Sequence, residues 1–148
     1  MSPALRALVV VSLSAVALSL ASRGKADGEP FQASLSCQAA AGPGRILCEL
    51  STRAAEGKLV WSDALVVRAP AFARPLRSRV VARLRDAEDS GGAWAKLALV
   101  ASEAGEGQLE LLARGVICHD RPGGEWCAPV RTRVTVELRV GSANAKQP

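Results

Sequence analysis

The chain has 148 residues, a formal net charge of +5, no tyrosine and only 2 phenylalanines. This mild positive charge falls short of what nucleic-acid binding requires, and so few aromatic rings leave little surface for stacking bases or sugars. We therefore expect no nucleic-acid partner.

The N-terminus has the pattern of a secretory signal peptide. Arg6 precedes an apolar run from Ala7 to Ala21, and basic residues such as Arg23 follow it. We predict cleavage after Ala21, with Ala26 as the alternative. The apolar run is shorter than the roughly 20 residues of a spanning helix, so export is favoured over a retained anchor and no stable membrane insertion is expected. The predicted location is periplasmic or extracellular.

Cleavage leaves 122 to 127 of the 148 residues, enough for one domain with a core but not for two. A polar, glycine-containing leader and a polar tail are expected to be disordered. The predicted organisation is a signal peptide at 1–21 (or to 26), a leader at 22–30, a folded domain at 31–141 and a flexible tail at 142–148.

Alternating hydrophobicity predicts a first hairpin from Phe31 to Leu50, reversing at Ala-Gly-Pro-Gly, with Cys37 and Cys48 on its inward faces. The next strand runs from Lys58 to Arg68. We expect Trp61 and Val66 of this strand to be buried, and a break near Asp63 is an alternative.

Pro70 and Pro75 interrupt any ladder, so the segment around them is predicted to connect two sheets. Residues 78–85 alternate, which predicts one strand with Val80, Ala82 and Leu84 inward. The runs at 94–101 and 108–118 also suit a helix, but their short length and flanking glycines favour strands.

The last strand follows a Pro-Gly-Gly reversal and alternates from Arg133 to Val140, with valines and Leu138 on one face. Seven to eight short strands separated by turn signals at roughly eight to fifteen residues are typical of a β-sandwich. We predict an all-β, immunoglobulin-like sandwich of antiparallel strands, stapled by disulfides.

Four cysteines in an exported chain predict two disulfides. The turns bring Cys37 to Cys48 and Cys118 to Cys127, so this hairpin pairing is favoured. The alternative pairs Cys48 with Cys118 and Cys37 with Cys127, because Cys48, Trp61 and Cys118 follow the order of the inter-sheet disulfide and core tryptophan of immunoglobulin domains.

The segment from Cys118 to Leu138, with two cysteines, Pro129 and a following strand, resembles the C-terminal hairpin of immunoglobulin-like periplasmic domains of the DsbD N-terminal type. This resemblance implies that Cys118 and Cys127 form a redox pair in a thiol-disulfide relay, with Trp126 as their aromatic cap. The alternative is a structural staple. On a loop-entropy estimate, a bridge that closes a loop of this size stabilises the fold by roughly 2 to 3 kcal/mol.

His119 is the only histidine, and one imidazole cannot form a zinc site without further ligands. We interpret it as a solvated turn residue. No nucleophile, base and orienting group occur together in a recognisable pattern, so we predict no catalytic residues, no metal site and no cofactor.

Arginines are concentrated between Arg68 and Arg85, a segment without an acidic residue. Arg79, Arg83 and Arg85 would share the outward face of one strand and could bind phosphate or carboxylate. The alternative is a solvated face that discourages edge-to-edge sheet pairing.

These observations predict an exported, non-catalytic binding or accessory module for a protein or envelope partner, with the ligand and oligomeric state unspecified. The alternatives are a periplasmic relay using Cys118 and Cys127, and an envelope-associated protein that binds anionic surfaces through Arg79, Arg83 and Arg85.

Overall fold

The computed structural model describes residues 29–86 and 91–142. The predicted signal peptide, nearly all of the leader and most of the tail lie outside these residues. The described part contains nine β-strands: β1 Phe31–Cys37, β2 Gly44–Ala54, β3 Lys58–Arg68, β4 Ala73–Pro75, β5 Arg79–Val81, β6 Arg83–Leu84, β7 Gly92–Ala101, β8 Gly105–Arg121 and β9 Gly124–Val140.

The strands form two antiparallel sheets. The back sheet has the order β1-β2-β7-β4, with β6 also paired to β7, and the front sheet has the order β5-β3-β8-β9. In the lettering used for immunoglobulin domains, the back sheet contains A (β1), B (β2) and E (β7), with β4 and β6 as edge segments of the D type. The front sheet contains C′ (β5), C (β3), F (β8) and G (β9). This is the arrangement of immunoglobulin-like sandwiches. The predicted fold class is confirmed.

The core lies between the sheets, where alternation brings one face of each strand inward. Ile46 and Leu50 of β2 belong to the same buried cluster as Leu109 and Leu111 of β8, and each of the four is at most 2% exposed. At Gly115, an added Cβ would lie 3.0 Å from Leu59 and 3.2 Å from Phe31. Glycine at this position therefore allows β8 to approach the rest of the core closely.

The hairpin disulfide pairing is confirmed. Cys37 bonds Cys48 across β1 and β2, and Cys118 bonds Cys127 across β8 and β9. Each pair is directly opposed in its sheet. The inter-sheet alternative is wrong, because each cysteine bonds its neighbour within one sheet.

The last hairpin is longer than predicted. Strands β8 and β9 remain paired beyond the cysteines up to Arg121 and Gly124. The reversal is confined to Pro122 and Gly123, and Gly123 has a φ of 103°. Proline supplies a fixed negative φ and glycine supplies the positive φ, which fits the two central positions of a tight turn.

Strand β3 is continuous through Asp63, so the alternative with a break there is wrong. Its pairing with β8 instead shifts between Leu59 and Trp61. This bulge allows Trp61, which is only half-buried, to lie on the outer side of the front sheet opposite Val116. The prediction of a buried core tryptophan is wrong for this reason.

Residues 79–84 do not form one strand, contrary to prediction. Strand β5 pairs with β3 in the front sheet, whereas β6 pairs with β7 in the back sheet. Between them, the buried Ala82 donates its backbone N–H to Ser62 O. The chain changes sheets at this residue, and Leu84, predicted inward, is 45% exposed.

Candidate binding surface

The outer face of the front sheet holds two buried carboxylates. On β8, Leu109, Leu111 and Ala113 point into the core, so Glu110 and Arg114 point outward. Asp63 lies directly opposite Arg114 on β3. Although both acids face away from the core, arginine side chains cover them and leave Asp63 with an exposure of 0%.

Asp63 is bound by two arginines. Arg114 donates from Nε to Oδ1 at 2.8 Å and from Nη2 to Oδ2 at 2.6 Å, and Arg79 donates from Nε to Oδ2 at 2.6 Å. Burial alone would raise the pKa of Asp63, but the hydrogen bonds from Arg114 and Arg79 outweigh it and lower the pKa below its ordinary value. In turn, the hydrogen bond to Asp63 raises the pKa of Arg114. This cluster is ionised at neutral pH.

Glu110 has a similar environment. Arg133 donates from Nη1 to Oε1, and Arg68 donates from Nη2 to Oε2 at 3.0 Å. The hydrogen bond from Arg133, supported by Arg68, lowers the pKa of Glu110 against the opposing effect of desolvation. Each carboxylate thus accepts hydrogen bonds from two arginines, which leaves each cluster with one excess positive charge.

Arg131 adds a further cation. It lies directly opposite Arg114 across β8 and β9, it is exposed, and it forms no ion pair within the described part of the chain. We call the following residues the central arginine face: Asp63, Arg68, Arg79, Glu110, Arg114, Arg131 and Arg133. With five arginines and two acids, this face is positively charged.

A shallow depression of about 360 Å³ borders the central arginine face. The Arg114 guanidinium lies over the Trp61 ring, with Cζ 5.8 Å from the centroid. Such a contact between a cation and a ring holds both groups in place. The depression is lined by Trp61, Arg114, Gly115, Val116, Pro129, Val130 and Arg131.

Both ends of this outer face carry acids. Asp120 and Glu125 lie directly opposite each other on β8 and β9 near the hairpin turn. At the other end, Glu106 and Glu137 lie around Arg139. The positive charge is therefore concentrated in the middle of the sheet.

The predicted arginine stripe does not exist as one face. Arg79 binds Asp63 in the front sheet, whereas Arg83 lies 5.9 Å from the Trp94 ring centroid on the outer side of the back sheet. Arg85 follows β6, where its backbone N–H donates to Gly92 O. Because the chain changes sheets at Ala82, Arg79 and Arg83 lie on opposite sides of the sandwich.

The two disulfides differ in their surroundings. Cys48 belongs to the core, with Cys37 packed against it. Cys118 and Cys127 instead lie on the outer side of the front sheet, where Cys118 is 4% exposed but Cys127 is exposed to solvent. The Sγ of Cys127 lies 3.6 Å from Glu125 Oε1. Cys127 is thus the more accessible residue of this bridge.

His119 and Trp126 lie on the opposite side of the same hairpin. They are directly opposed in register, with ring centroids 6.2 Å apart, and Arg121 lies 4.6 Å from the Trp126 centroid. Because successive strand residues point to opposite faces, Trp126 does not cap the disulfide. His119 is a half-buried strand residue, not a solvated turn residue.

Candidate ligand atoms of Cys118, Glu125 and Cys127 lie within 4.8 Å of one another, a spacing that could hold a metal ion. Both sulfurs are joined in the disulfide, however, and a thiolate is the form of cysteine that binds metals. The oxidised protein therefore lacks the thiolates that such a site would need.

Of the central arginine face, the sequence predicted only Arg79 as a site residue; it did not identify Asp63, Arg68, Glu110, Arg114, Arg131 or Arg133. A charged residue within an apolar strand, such as Asp63 between Ser62 and Ala64, was the available signal. The alternation Glu110, Leu112, Arg114 was a second one, because it places both charges on one face. Neither signal identifies which arginines come together from separate strands.

No protein-family model, curated protein or solved structure matches this chain. The protein is classified by its fold, a disulfide-stapled immunoglobulin-like sandwich. Two disulfides indicate an oxidising, exported compartment. Within residues 29–86 and 91–142, no helix is long and apolar enough to cross a membrane.

Proposed function

We propose that the protein is an exported, non-catalytic binding module that binds an acidic surface of a partner protein through the central arginine face. The observation that carries this proposal is the fixed excess of positive charge around Asp63 and Glu110. An arginine held by a buried carboxylate retains further N–H groups, because a guanidinium has five, and these can bind a second carboxylate.

A protein partner is favoured over a polyanion. Acids at both ends of the outer face, such as Glu125 and Glu137, would repel a long phosphate backbone or an anionic membrane that extended past the centre. The depression beside Trp61 offers apolar contact, which is typical of the centre of a protein interface. This charge pattern fits a compact acidic patch with an apolar neighbour.

Site-specific photo-crosslinking in the native host tests the proposal. A benzoylphenylalanine at Thr135, an exposed outward residue beside Arg133, should form an adduct with a partner protein. The same group at Ser36, an exposed residue on the outer side of the back sheet, should not. Adducts from Ser36 alone, or equally from both positions, would contradict the proposed surface.

Export to the periplasm or the extracellular space is part of this proposal. The N-terminal sequence predicts that the secreted protein begins at Ser22 or Asp27. Intact mass spectrometry of the exported chain should therefore give a mass that lacks residues 1–21 or 1–26. Recovery of the full-length chain in a membrane fraction would instead support a retained anchor.

A thiol-disulfide relay is the second candidate, and the accessible position of Cys127 favours it. A relay needs a sulfur that an incoming thiolate can attack. Glu125 counts against it, because its carboxylate lies 3.6 Å from the Cys127 sulfur and would repel the thiolate that must attack there. We therefore favour the staple.

We expect the Cys118→Ala/Cys127→Ala variant to lose about 2 to 3 kcal/mol of unfolding free energy, from the loop entropy of a bridge with this spacing. Urea denaturation measures the loss. Equilibration with glutathione should give a reduction potential below about −300 mV, as for structural bridges. A potential near −200 mV together with unchanged stability would support the relay and reject the staple.

A further inference from the structure

We propose that the depression beside Trp61 is a subsite for a carboxylate attached to an apolar group, with the carboxylate held between Arg114 and Arg131. The inference rests on the proposed binding function and names the chemistry that the partner presents there. The occupant is an acidic side chain of the partner protein that lies next to an apolar side chain.

Arg114 is oriented before any ligand arrives. Its Nε and Nη2 donate to Asp63 at 2.8 and 2.6 Å, and its guanidinium lies over the Trp61 ring. A guanidinium carries five N–H groups, so its other donors remain available to a ligand. Because Asp63 and Trp61 already restrict this side chain, little of its rotamer freedom would be lost on binding.

Arg131 supplies the second donor group. It faces Arg114 directly across the β8–β9 pair, and like charges in this relation destabilise a sheet. Asp63 accepts hydrogen bonds from Arg114 on the side of β3, away from Arg131. Arg131 itself forms no ion pair within residues 29–86 and 91–142. A carboxylate between the two guanidiniums would relieve their repulsion and accept hydrogen bonds from both.

The apolar part of the subsite adjoins this pair. Val116 lies opposite Trp61 on one side and opposite Pro129 on the other, so three apolar side chains line one row across the sheet. The row next to it holds Arg114 and Arg131. One row therefore separates the charged part of the subsite from its apolar part. This spacing is about the distance between a carboxylate and its neighbouring apolar group.

An NMR titration of the isotope-labelled protein tests this arrangement, with phenylpropionate as the probe and phenylpropionamide as its uncharged match. Phenylpropionate should shift the indole N–H of Trp61 and the Nε–H of Arg114. The amide should bind at least about fivefold more weakly, because it lacks the charge that Arg114 and Arg131 recognise. Equal binding of both probes would overturn the proposal.

The other two tryptophans are internal controls. Trp94 lies near Arg83 and Lys96, and Trp126 lies near Arg121, so each has a cation beside its ring but neither lines this depression. Their indole signals should not respond at concentrations that saturate Trp61. If all three signals shift with one affinity, the probe binds cation–ring pairs in general and the subsite is rejected.

Arg131→Gln should weaken phenylpropionate binding about fivefold or more, because it removes one of the two donors. Arg131 has no ion pair within the described residues, so this change leaves both buried clusters intact. Arg74→Gln, an equal charge change at an exposed residue of the back sheet, is the matched control and should bind normally. Equal affinities of the two variants would overturn the role of Arg131.

The two proposals can fail separately. If Thr135 crosslinks a partner but phenylpropionate does not bind at Trp61, the binding surface stands and the subsite is rejected. If phenylpropionate binds at Trp61 in an Arg131-dependent way without any Thr135 adduct, the subsite stands as a small-carboxylate site and the proposed protein partner is rejected.

Discussion

Replacing Cys37 and Cys48 together by alanine is expected to lower the free energy of unfolding by about 3 to 5 kcal/mol. Loop entropy alone accounts for about 2.5 to 3 kcal/mol of this loss for cysteines that are 11 residues apart. The rest comes from the core, because Cys48 is 2% exposed and its removal leaves space among buried side chains. Urea denaturation followed by tryptophan fluorescence would measure the change.

The Cys118→Ala/Cys127→Ala variant is the matched comparison. Its cysteines are 9 residues apart, so the entropic contribution is nearly the same. Cys118 is also buried, at 4% exposure, but it lies on the outer side of the front sheet, Cys127 is exposed, and neither belongs to the core cluster that contains Cys48. We expect a loss that is smaller by about 1 to 2 kcal/mol. If the two double variants were equally destabilised, the core position of the Cys37–Cys48 pair would add nothing to stability beyond what the Cys118–Cys127 pair contributes.

The sheet architecture could be predicted because its signals are local. Alternation fixed the inward faces of β2, β8 and β9, and short turns between alternating runs predicted the hairpins. The disulfide pairing followed for the same reason, since each bridge joins residues that one hairpin already brings together. Each of these hairpins pairs two strands that follow each other in the sequence, so it could be predicted without information about the other sheet.

The change of sheet at Ala82 could not be predicted in this way. The residues from Arg79 to Leu84 alternate whether they lie in one sheet or two, and only the contacts of their backbone groups distinguish these cases. Ala82 N donates to Ser62 O of β3, whereas Arg85 N donates to Gly92 O of β7. These partners are distant in sequence, so the alternation contains no information about them.

The candidate surface was missed for a related reason. Local density in the sequence indicates the arginines between Arg68 and Arg85, but the central arginine face combines residues from β3, β5, β8 and β9. Arg79 is the predicted residue that belongs to this face. It donates a hydrogen bond to Asp63, whereas the sequence predicted only that it would point into solvent. Replacing it together with Arg83 and Arg85 would therefore weaken the fold as well as any anion binding.

Asp63→Asn is expected to lower the free energy of unfolding at pH 7 by about 2 to 4 kcal/mol. Removing one partner of a buried ion pair costs about 3 to 5 kcal/mol, and this estimate is reduced because the side chains of Arg114 and Arg79 are 35% and 51% exposed. Asparagine has the same size as aspartate, so the loss of unfolding free energy measures the contribution of the negative charge. Urea denaturation would determine the value, with Glu103→Gln, an exposed acid on the loop after β7, as the control.

The pH dependence separates this charge effect from a packing defect. The folded-state pKa of Asp63 lies below its unfolded value of about 3.9, so its contribution is fully present above that pH and is lost as the pH falls through the folded pKa. The native protein should therefore lose stability on acidification more steeply than the Asp63→Asn variant. Since a protonated aspartic acid resembles asparagine, the difference between the two should begin to shrink as the pH falls below about 3.9 and should continue to shrink as the pH falls through the folded pKa. A difference that stayed constant from pH 7 to pH 2.5 would mean that asparagine disturbs packing at this position, and that the two arginines do not depend on the charge of Asp63.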